Sequence, residues 1–445
     1  MDEEDPSIMC FPEELHIELL RKVDGKTLAV CKRVCKLWHG LISKLEERKI
    51  WLYKCLLEIP WYIFQELTGL TVDKKLLYFE LCSHSPLPWQ FWREIYAEYK
   101  RFDYITNGIE KRTELYFPFE HGEITCLYIH NPDDVIYSGH DSGNVISWSD
   151  INEDKKFRVL YKHYKRVTCI GGLNMVTSLD DLHSCNYGNK IISSSRDSNV
   201  ILYNIKNRKY QTIRHYNKQV NSLSAWGDHF ICGADKSSIQ GHPLWRSSNH
   251  DDIDINETCI LYNQSSDITA VAFWDNVILS GNDVGDLYIW SHDLQSSIKG
   301  RQLMTHVASL ESCIKSIYVL GTRVICFTAD GQLCISRHKE TFEFQKYDFY
   351  KKLLKSPECI SVRGSILAIG CRSGSVFLYH IEKDEDWDHL YDIKPRVVKT
   401  SHDHVHSIVI GGNTTGPYVA IATNEYCLTI VQYCKYPKKG LNMTC

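Results

Sequence analysis

At 445 residues the chain has room for one small and one large folding unit, and with 43% apolar and 24% charged residues it is too apolar for a disordered protein. A formal net charge of -4 gives no global attraction to nucleic acid or to an anionic membrane, and no window approaches the ~20 apolar residues of a membrane span. Residues 1–15 are acidic and lack the basic flank and apolar stretch of a signal peptide, so a cytoplasmic or nuclear location is expected, where the 18 cysteines stay reduced and act as small core hydrophobes.

Residues 1–9 form an acidic lead, and Phe11-Pro12-Glu13-Glu14-Leu15 then puts a proline at a helix start, where its missing N–H costs nothing. Leu15, Leu19 and Val23, with Leu20 beside them, predict one apolar helical face that Asp24-Gly25 ends. Leu28, Cys31, Cys35 and Trp38 make a second face, widened by Val30, Val34 and Leu41, with Lys32, Arg33 and Lys36 on the polar side. Helices this short cannot bury so much apolar side chain alone, so part of it should face a partner. Cys31, Cys35 and His39 share a face, but no fourth ligand accompanies them and no metal is expected. Residues 51–109 stay helical and aromatic, cut by Pro60 and Pro86-Leu87-Pro88, and end in a helix from Trp89 to Lys100; with no Gly/Ser run they predict a stiff linker.

The string Phe11-Pro12-Glu13-Glu14-Leu15, then Leu28, then Val34-Cys35-Lys36-Leu37-Trp38 resembles the F-box pattern over about residues 10–50, with Phe11 in place of the usual leucine. The resemblance implies that Pro12, Leu15, Leu19, Val34, Cys35 and Trp38 contact a Skp adaptor and, through it, a cullin ubiquitin ligase. For Cys35 and Trp38 the competing reading is a place in the core of the small bundle.

After residue 110 the period becomes alternating and one phrase recurs seven times: an apolar pair, a Ser/Ala/Gly step, a polar turn and a strand. Its clearest copies are Ser138-Gly139-His140-Asp141-Ser142-Gly143-Asn144-Val145-Ile146-Ser147-Trp148 and Ser280-Gly281-Asn282-Asp283-Val284-Gly285-Asp286-Leu287-Tyr288-Ile289-Trp290. The first apolar residues after the turns, Val145, Val200, Ile239, Leu287, Leu333, Val376 and Leu428, are 39 to 55 residues apart. The phrase resembles the WD repeat, with most terminal tryptophans missing. The resemblance implies an all-β seven-bladed WD-repeat β-propeller over residues 110–435, after an N-terminal all-α F-box and helical linker and before a tail at 436–445. A strand near 112–119 has no blade of its own and is expected to close the last one. In the family, histidines such as His121, His163, His215 and His402 hydrogen-bond within a blade.

No Gly-x-Ser-x-Gly elbow, Walker loop or His-Glu-x-x-His stands out, so no catalysis and no cofactor are expected. In members of the family that read phosphorylated or acidic segments, basic side chains after the first apolar residue of each inner strand and before the turn aspartate point into the channel entrance. Those places hold Lys315 and His406, and Arg196 and Arg372; Asp141 and Asp283 share the ring, and Ile360-Ser361 is taken as the sixth strand's start. A mixed polar surface reading another peptide stays open. His402, His404 and His406 alternate and would share a strand face, with no metal expected there. The resulting expectation is a non-catalytic substrate-recognition subunit of an SCF-type ubiquitin ligase; the alternative is a non-degradative scaffold.

Overall fold

The computed structural model describes residues 11–68, 87–130, 134–148, 157–173, 190–214, 218–226, 229–235, 238–243, 245–246, 253–254, 259–262, 266–274, 277–291, 303–321, 323–336, 342–424 and 426–435. His215 and the proposed tail at 436–445 lie outside them. The chain divides into a helical unit ending at Arg101 and a β unit from Phe102 onward. Among the described residues no helix is long and apolar enough to cross a membrane.

The helical unit comprises α1 (Glu13–Lys22), α2 (Gly25–Cys31), α3 (Lys36–Glu47), α4 (Ile50–Glu58), α5 (Trp61–Thr68) and α6 (Trp89–Arg101). Pro12 is the N-cap of α1, and Asp24 caps α2 by accepting the Thr27 N–H at 2.7 Å. The residues read as a separate linker share one compact unit with the first three helices. Trp51 of α4 packs on Tyr96 of α6 at 5.7 Å, Phe64 of α5 stacks on Trp92 at 6.0 Å, and Cys55 donates to the Trp92 carbonyl at 3.2 Å. Lys32, expected on the polar side, is half-buried and pairs with the buried Glu46, whose second oxygen accepts from Trp51 Nε1 at 3.1 Å.

Among the described residues the β unit holds seven four-stranded antiparallel sheets and one two-stranded sheet, Trp245–Arg246 with Ile253–Asp254. Sheet 1 contains Ile124–His130, Val135–His140, Asn144–Trp148 and Arg158–Lys162; sheet 2 contains Val167–Leu173, Lys190–Ser195, Asn199–Asn204 and Lys209–Arg214. Sheet 3 contains Val220–Trp226, His229–Ala234, Ser238–Pro243 and Cys259–Tyr262; sheet 4 contains Ile268–Trp274, Val277–Asn282, Asp286–Ser291 and Leu303–Ser309. Sheet 5 contains Ile314–Leu320, Arg323–Thr328, Gln332–Ser336 and Phe344–Asp348; sheet 6 contains Pro357–Arg363, Ile366–Cys371, Ser375–His380 and Arg396–Lys399. Each of these six is a single stretch of chain. Of the seven blades expected, those six alone are continuous; sheet 7 joins Val405–Gly412, Pro417–Thr423 and Cys427–Cys434 to a strand from far upstream, Ile109–Tyr116. That strand lies three residues earlier than the 112–119 read from the sequence, because Pro118 cannot continue the ladder. It pairs with Cys427–Cys434 from Ile109↔Cys434 to Tyr116↔Cys427. Arg396 fixes its start by donating to the Ile105 and Gly108 carbonyls at 3.0 Å each.

The first strands of the seven sheets touch one another in order, and the last touches the first, which makes a closed ring. Apolar layers fill the gaps, for example Tyr161, Val167, Ile191 and Tyr203 between sheets 1 and 2. The small residue of the repeat phrase is explained by this packing. A Cβ on Gly139, Gly233 or Gly281 would come within 2.5–2.7 Å of Val167, Ile268 or Ile314, the first residue of the next sheet's inner strand.

Polar side chains lock the hairpins. In sheet 1, Ser138 Oγ meets His140 Nε2 at 2.8 Å and accepts from Trp148 Nε1 at 2.8 Å; in sheet 2, His163 Nε2 meets Ser193 Oγ at 2.8 Å and its Nδ1 faces Asp197. His163 thus hydrogen-bonds within its blade. His140, not singled out in the sequence, fills that place in sheet 1, while His121 stands only 3.4 Å from Asn144 Nδ2 and His402 faces Tyr116 instead. His402, His404 and His406 do not share a strand face, because the strand begins at Val405 and His404 has a positive φ of 60°.

In sheets 1, 2, 4, 5 and 6 the turn before the third strand has three residues, the last left-handed: Gly143, Gly285, Gly331 and Gly374, but Ser198 in sheet 2 at φ 69°; in sheet 7 Tyr426, just before the third strand, is left-handed too at φ 56°. Ser198→Gly should therefore raise unfolding stability by about 0.5–1 kcal/mol, read from a denaturant midpoint; an unchanged or lower midpoint would mean the serine carries no strain. Burial pulls the His140 imidazole down to about 4 despite its contact with the Gly122 carbonyl, against ~6.5 in an unfolded chain. The native state binds fewer protons, so this stabilisation is complete above pH ~6.5 and is lost as pH falls through about 4, on the order of 3 kcal/mol in all. Stability measured from pH 7 down to 4 should fall less steeply in His140→Asn than in the unaltered chain; parallel curves would contradict this assignment.

Candidate functional site

The residues named from the sequence as contacts fall at two places among the described residues. The first is the corner of α1, α2 and α3 in the helical unit. On α1, His16 and Leu20 are buried, and Leu15 and Leu19, expected to contact a partner, are 50% and 46% exposed. Val34 is 62% exposed, and Pro12, Phe11, Val30 and Leu37 are exposed as well. Cys35 and Trp38 are half-buried and do internal work. Cys35 Sγ caps α3 by accepting the Trp38 N–H at 3.5 Å, and Trp38 Nε1 donates to His16 Nδ1 at 3.1 Å. That indole–imidazole bond holds the start of α3 against α1, so the exposed side chains of both helices belong to one neighbourhood. Phe11, Val30 and Leu37 join the apolar set; the sequence named none of them as contacts, although their helical phase relative to Val34 and Leu15 was a usable signal.

The second place is the end of the ring where the inner strands begin. Every inner strand has a β-bulge directly after its first residue, between Ile124 and Cys126, Val167 and Cys169, Val220 and Ser222, Ile268 and Ala270, Ile314 and Ser316, Pro357 and Cys359, and Val405 and Ser407. The extra residue is Thr125, Thr168, Asn221, Thr269, Lys315, Glu358 or His406. A bulge turns its side chain out of the pleat, and here it turns toward the neighbouring sheet. Thr125 Oγ1 donates to the Val167 carbonyl at 2.6 Å, Thr168 Oγ1 to Val220 at 2.8 Å, Asn221 Nδ2 to Ile268 at 3.2 Å and Thr269 Oγ1 to Ile314 at 2.6 Å.

The bulge register corrects the sixth position. The sequence placed it at Ser361, which is buried; the structure places Glu358 there, because Pro357 takes the place held elsewhere by valine or isoleucine. Glu358 binds Lys315 Nζ at 3.2 Å through one oxygen and Arg372 Nε through the other. Burial alone would raise the Glu358 carboxyl, but the two cations outweigh it and hold it below the usual carboxylate range. Two of the four basic residues expected to meet a ligand are therefore already paired. His406 is engaged as well, by Asn424 Oδ1 and by Glu123 at 3.7 Å. Arg196 differs: its guanidinium is exposed and makes no side-chain hydrogen bond or ion pair among the described residues. Its backbone N–H donates to the Arg166 carbonyl at 3.0 Å, which sets a second exposed arginine beside it that the sequence did not single out. Asp141 and Asp283, exposed at the corresponding turns of sheets 1 and 4, stand in the same ring.

Residues 8–49 match the F-box domain. Among solved structures the chain is similar to the β-propeller domain of Cps50 (Swd1) from Myceliophteria thermophila, with a TM-score of 0.52 at 15% identity over 72% of this chain and 99% of that one. The chain couples an F-box to a β-propeller. No curated protein matches it. An F-box with a propeller is an arrangement typical of non-catalytic adaptors, and it fits substrate recognition in general terms.

If Glu358 neutralises Lys315 and Arg372, Glu358→Gln should increase binding of an acidic probe peptide severalfold, about 0.5–1 kcal/mol for each partly exposed pair. Fluorescence anisotropy of a poly-glutamate peptide on the full chain measures it, and a Glu358→Gln chain no tighter than the unaltered one would refute the neutralisation.

Proposed function

We propose that this protein is the substrate-recognition subunit of an SCF-type ubiquitin ligase, its F-box binding the Skp adaptor and its propeller, of the WD-repeat kind, binding a protein substrate. The observation that carries the reading is the apolar corner inside the F-box match: Leu15, Leu19 and Val34 are large, apolar and about half exposed or more, while Leu20, Leu28 and Leu41 of the same three helices are buried. Burying such side chains against a partner contributes roughly 25 cal/mol per Å² of apolar surface. Pro12, Leu15, Leu19 and Val34 are the direct contacts in this reading. Cys35 and Trp38 are positioning residues, acting through the α3 cap and the His16 bond.

On the propeller, the exposed Arg196 with Arg166 is the better candidate for an acidic or phosphorylated group, since a guanidinium can bind two oxygens at once. Lys315, Arg372 and His406 contribute to the ring's cohesion first. The subunit would perform no chemistry; it raises the effective concentration of a substrate lysine near the charged ubiquitin. The non-degradative scaffold is the second reading, and cullin recovery separates the two.

Leu15→Asp with Val34→Asp changes only exposed positions, so the double variant should keep its unfolding midpoint and yet lose co-purification with the Skp adaptor and cullin. Recovery of both partners by the unaltered chain alone supports the receptor. Adaptor without cullin would favour the scaffold, and adaptor retained by the double variant would remove this corner as the interface.

A further inference from the structure

We propose that Glu114, His402 and Cys427 form a zinc-binding site that staples the strand closing the ring. The three residues come from separate segments: the closing strand Ile109–Tyr116, the loop before sheet 7, and the strand Cys427–Cys434. Their ligand atoms all lie within 4.8 Å of one another, and among the described residues this is the one such group of three or more His, Cys, Asp and Glu side chains. Around a tetrahedral zinc with bonds of ~2.0–2.3 Å, donor atoms stand roughly 3.3–3.8 Å apart, so the site needs a contraction of about an ångström, within reach of side-chain torsions.

The chemistry of the donors selects the ion. A thiolate, an imidazole and a carboxylate suit zinc, whereas magnesium and calcium take oxygen ligands. Three protein ligands leave a fourth position. The Tyr116 hydroxyl stands beside it, 3.0 Å from Glu114 Oε2 and 3.3 Å from His402 Nε2, so this hydroxyl or a water would complete the shell. The surroundings orient the ligands: Ser401 Oγ donates to Glu114 Oε1, and the Tyr116 ring lies edge-on to His402 at 6.0 Å. Cys427 is buried while Tyr116 is 57% exposed, which gives an ion a route from solvent.

The position gives the site its role. Glu114 and Tyr116 stand opposite Thr429 and Cys427 at the end of the closing ladder, just before the Phe117 N–H makes its last bond to the Tyr426 carbonyl. A bound ion would join that end to the loop carrying His402, so that fraying of the closing strand requires metal release.

The test uses the full chain, stripped with a chelator and then titrated with zinc or with cobalt(II) as its spectroscopic substitute. The expected result is about one equivalent of metal bound, a sulfur-to-cobalt charge-transfer band, and a higher Tm with zinc. Cys427→Ser should abolish the band, and His402→Gln, a half-exposed position, should weaken zinc binding by more than about tenfold and remove the rise in Tm that zinc produces. If Cys427→Ser does not fold, His402→Gln alone decides. Absence of the cobalt band in the unaltered chain, or undiminished zinc binding in His402→Gln, would overturn the site, the latter assigning the metal to other cysteines.

Discussion

The ring depends on one repeated backbone irregularity, the bulge after the first residue of each inner strand. A sheet can bury its two faces against its neighbours, but apolar contact alone sets neither the tilt between sheets nor their axial register. The bulged residue supplies both, because it aims one polar side chain across the gap at a fixed height. Between sheets 1 and 5 the link is a threonine or asparagine bonded to the next sheet's first carbonyl. These bonds are short-range and neutral, so they persist in salt, and each satisfies a carbonyl that the bulge itself withdraws from the ladder.

From sheet 5 round to sheet 1 the bulged residues are Lys315, Glu358 and His406, and the links differ in kind. Lys315 reaches Glu358 in sheet 6, and His406 reaches Glu123 at the start of sheet 1. The Lys315–Glu358 pair is partly exposed and screened by salt. The same arc contains the composite sheet. Closure is thus concentrated where the covalent chain does least of the work, and the full-length pairing of Ile109–Tyr116 with Cys427–Cys434, together with Arg396 at its start, compensates for the missing hairpin.

How much of this was legible in the sequence follows from what each signal measures. Periodicity and turn residues report local backbone preference, and they located the helices, the repeat phrase and the odd strand before sheet 1. They misplaced side chains where geometry is set by a distant partner. The spacing of Leu15, Leu19 and Leu20 marked an apolar face of α1 but gave no sign of the buried His16, whose imidazole accepts from the indole of Trp38. The sixth inner strand was read from Ile360 because every other one starts with valine or isoleucine. Pro357 breaks that habit, and sheet 5 opposite carries Phe327 where other sheets carry glycine, serine or alanine. A large residue on one side of the gap goes with a compact one on the other, a trade in volume that no single-strand pattern reveals.

That misreading matters for function, because a slip of three residues hid a carboxylate. With serine at the sixth position, Lys315 and Arg372 look like free cations awaiting an acidic ligand. With Glu358 there, an incoming anion must compete with a carboxylate that is tethered, partly desolvated and already bonded to both. An intramolecular anion has the advantage of effective concentration, so a ligand carboxylate of ordinary affinity loses that competition. Arg166 and Arg196 face no such rival among the described residues. In the proposed reading, recognition of an acidic segment is therefore displaced to the edge of the ring that carries Arg166 and Arg196.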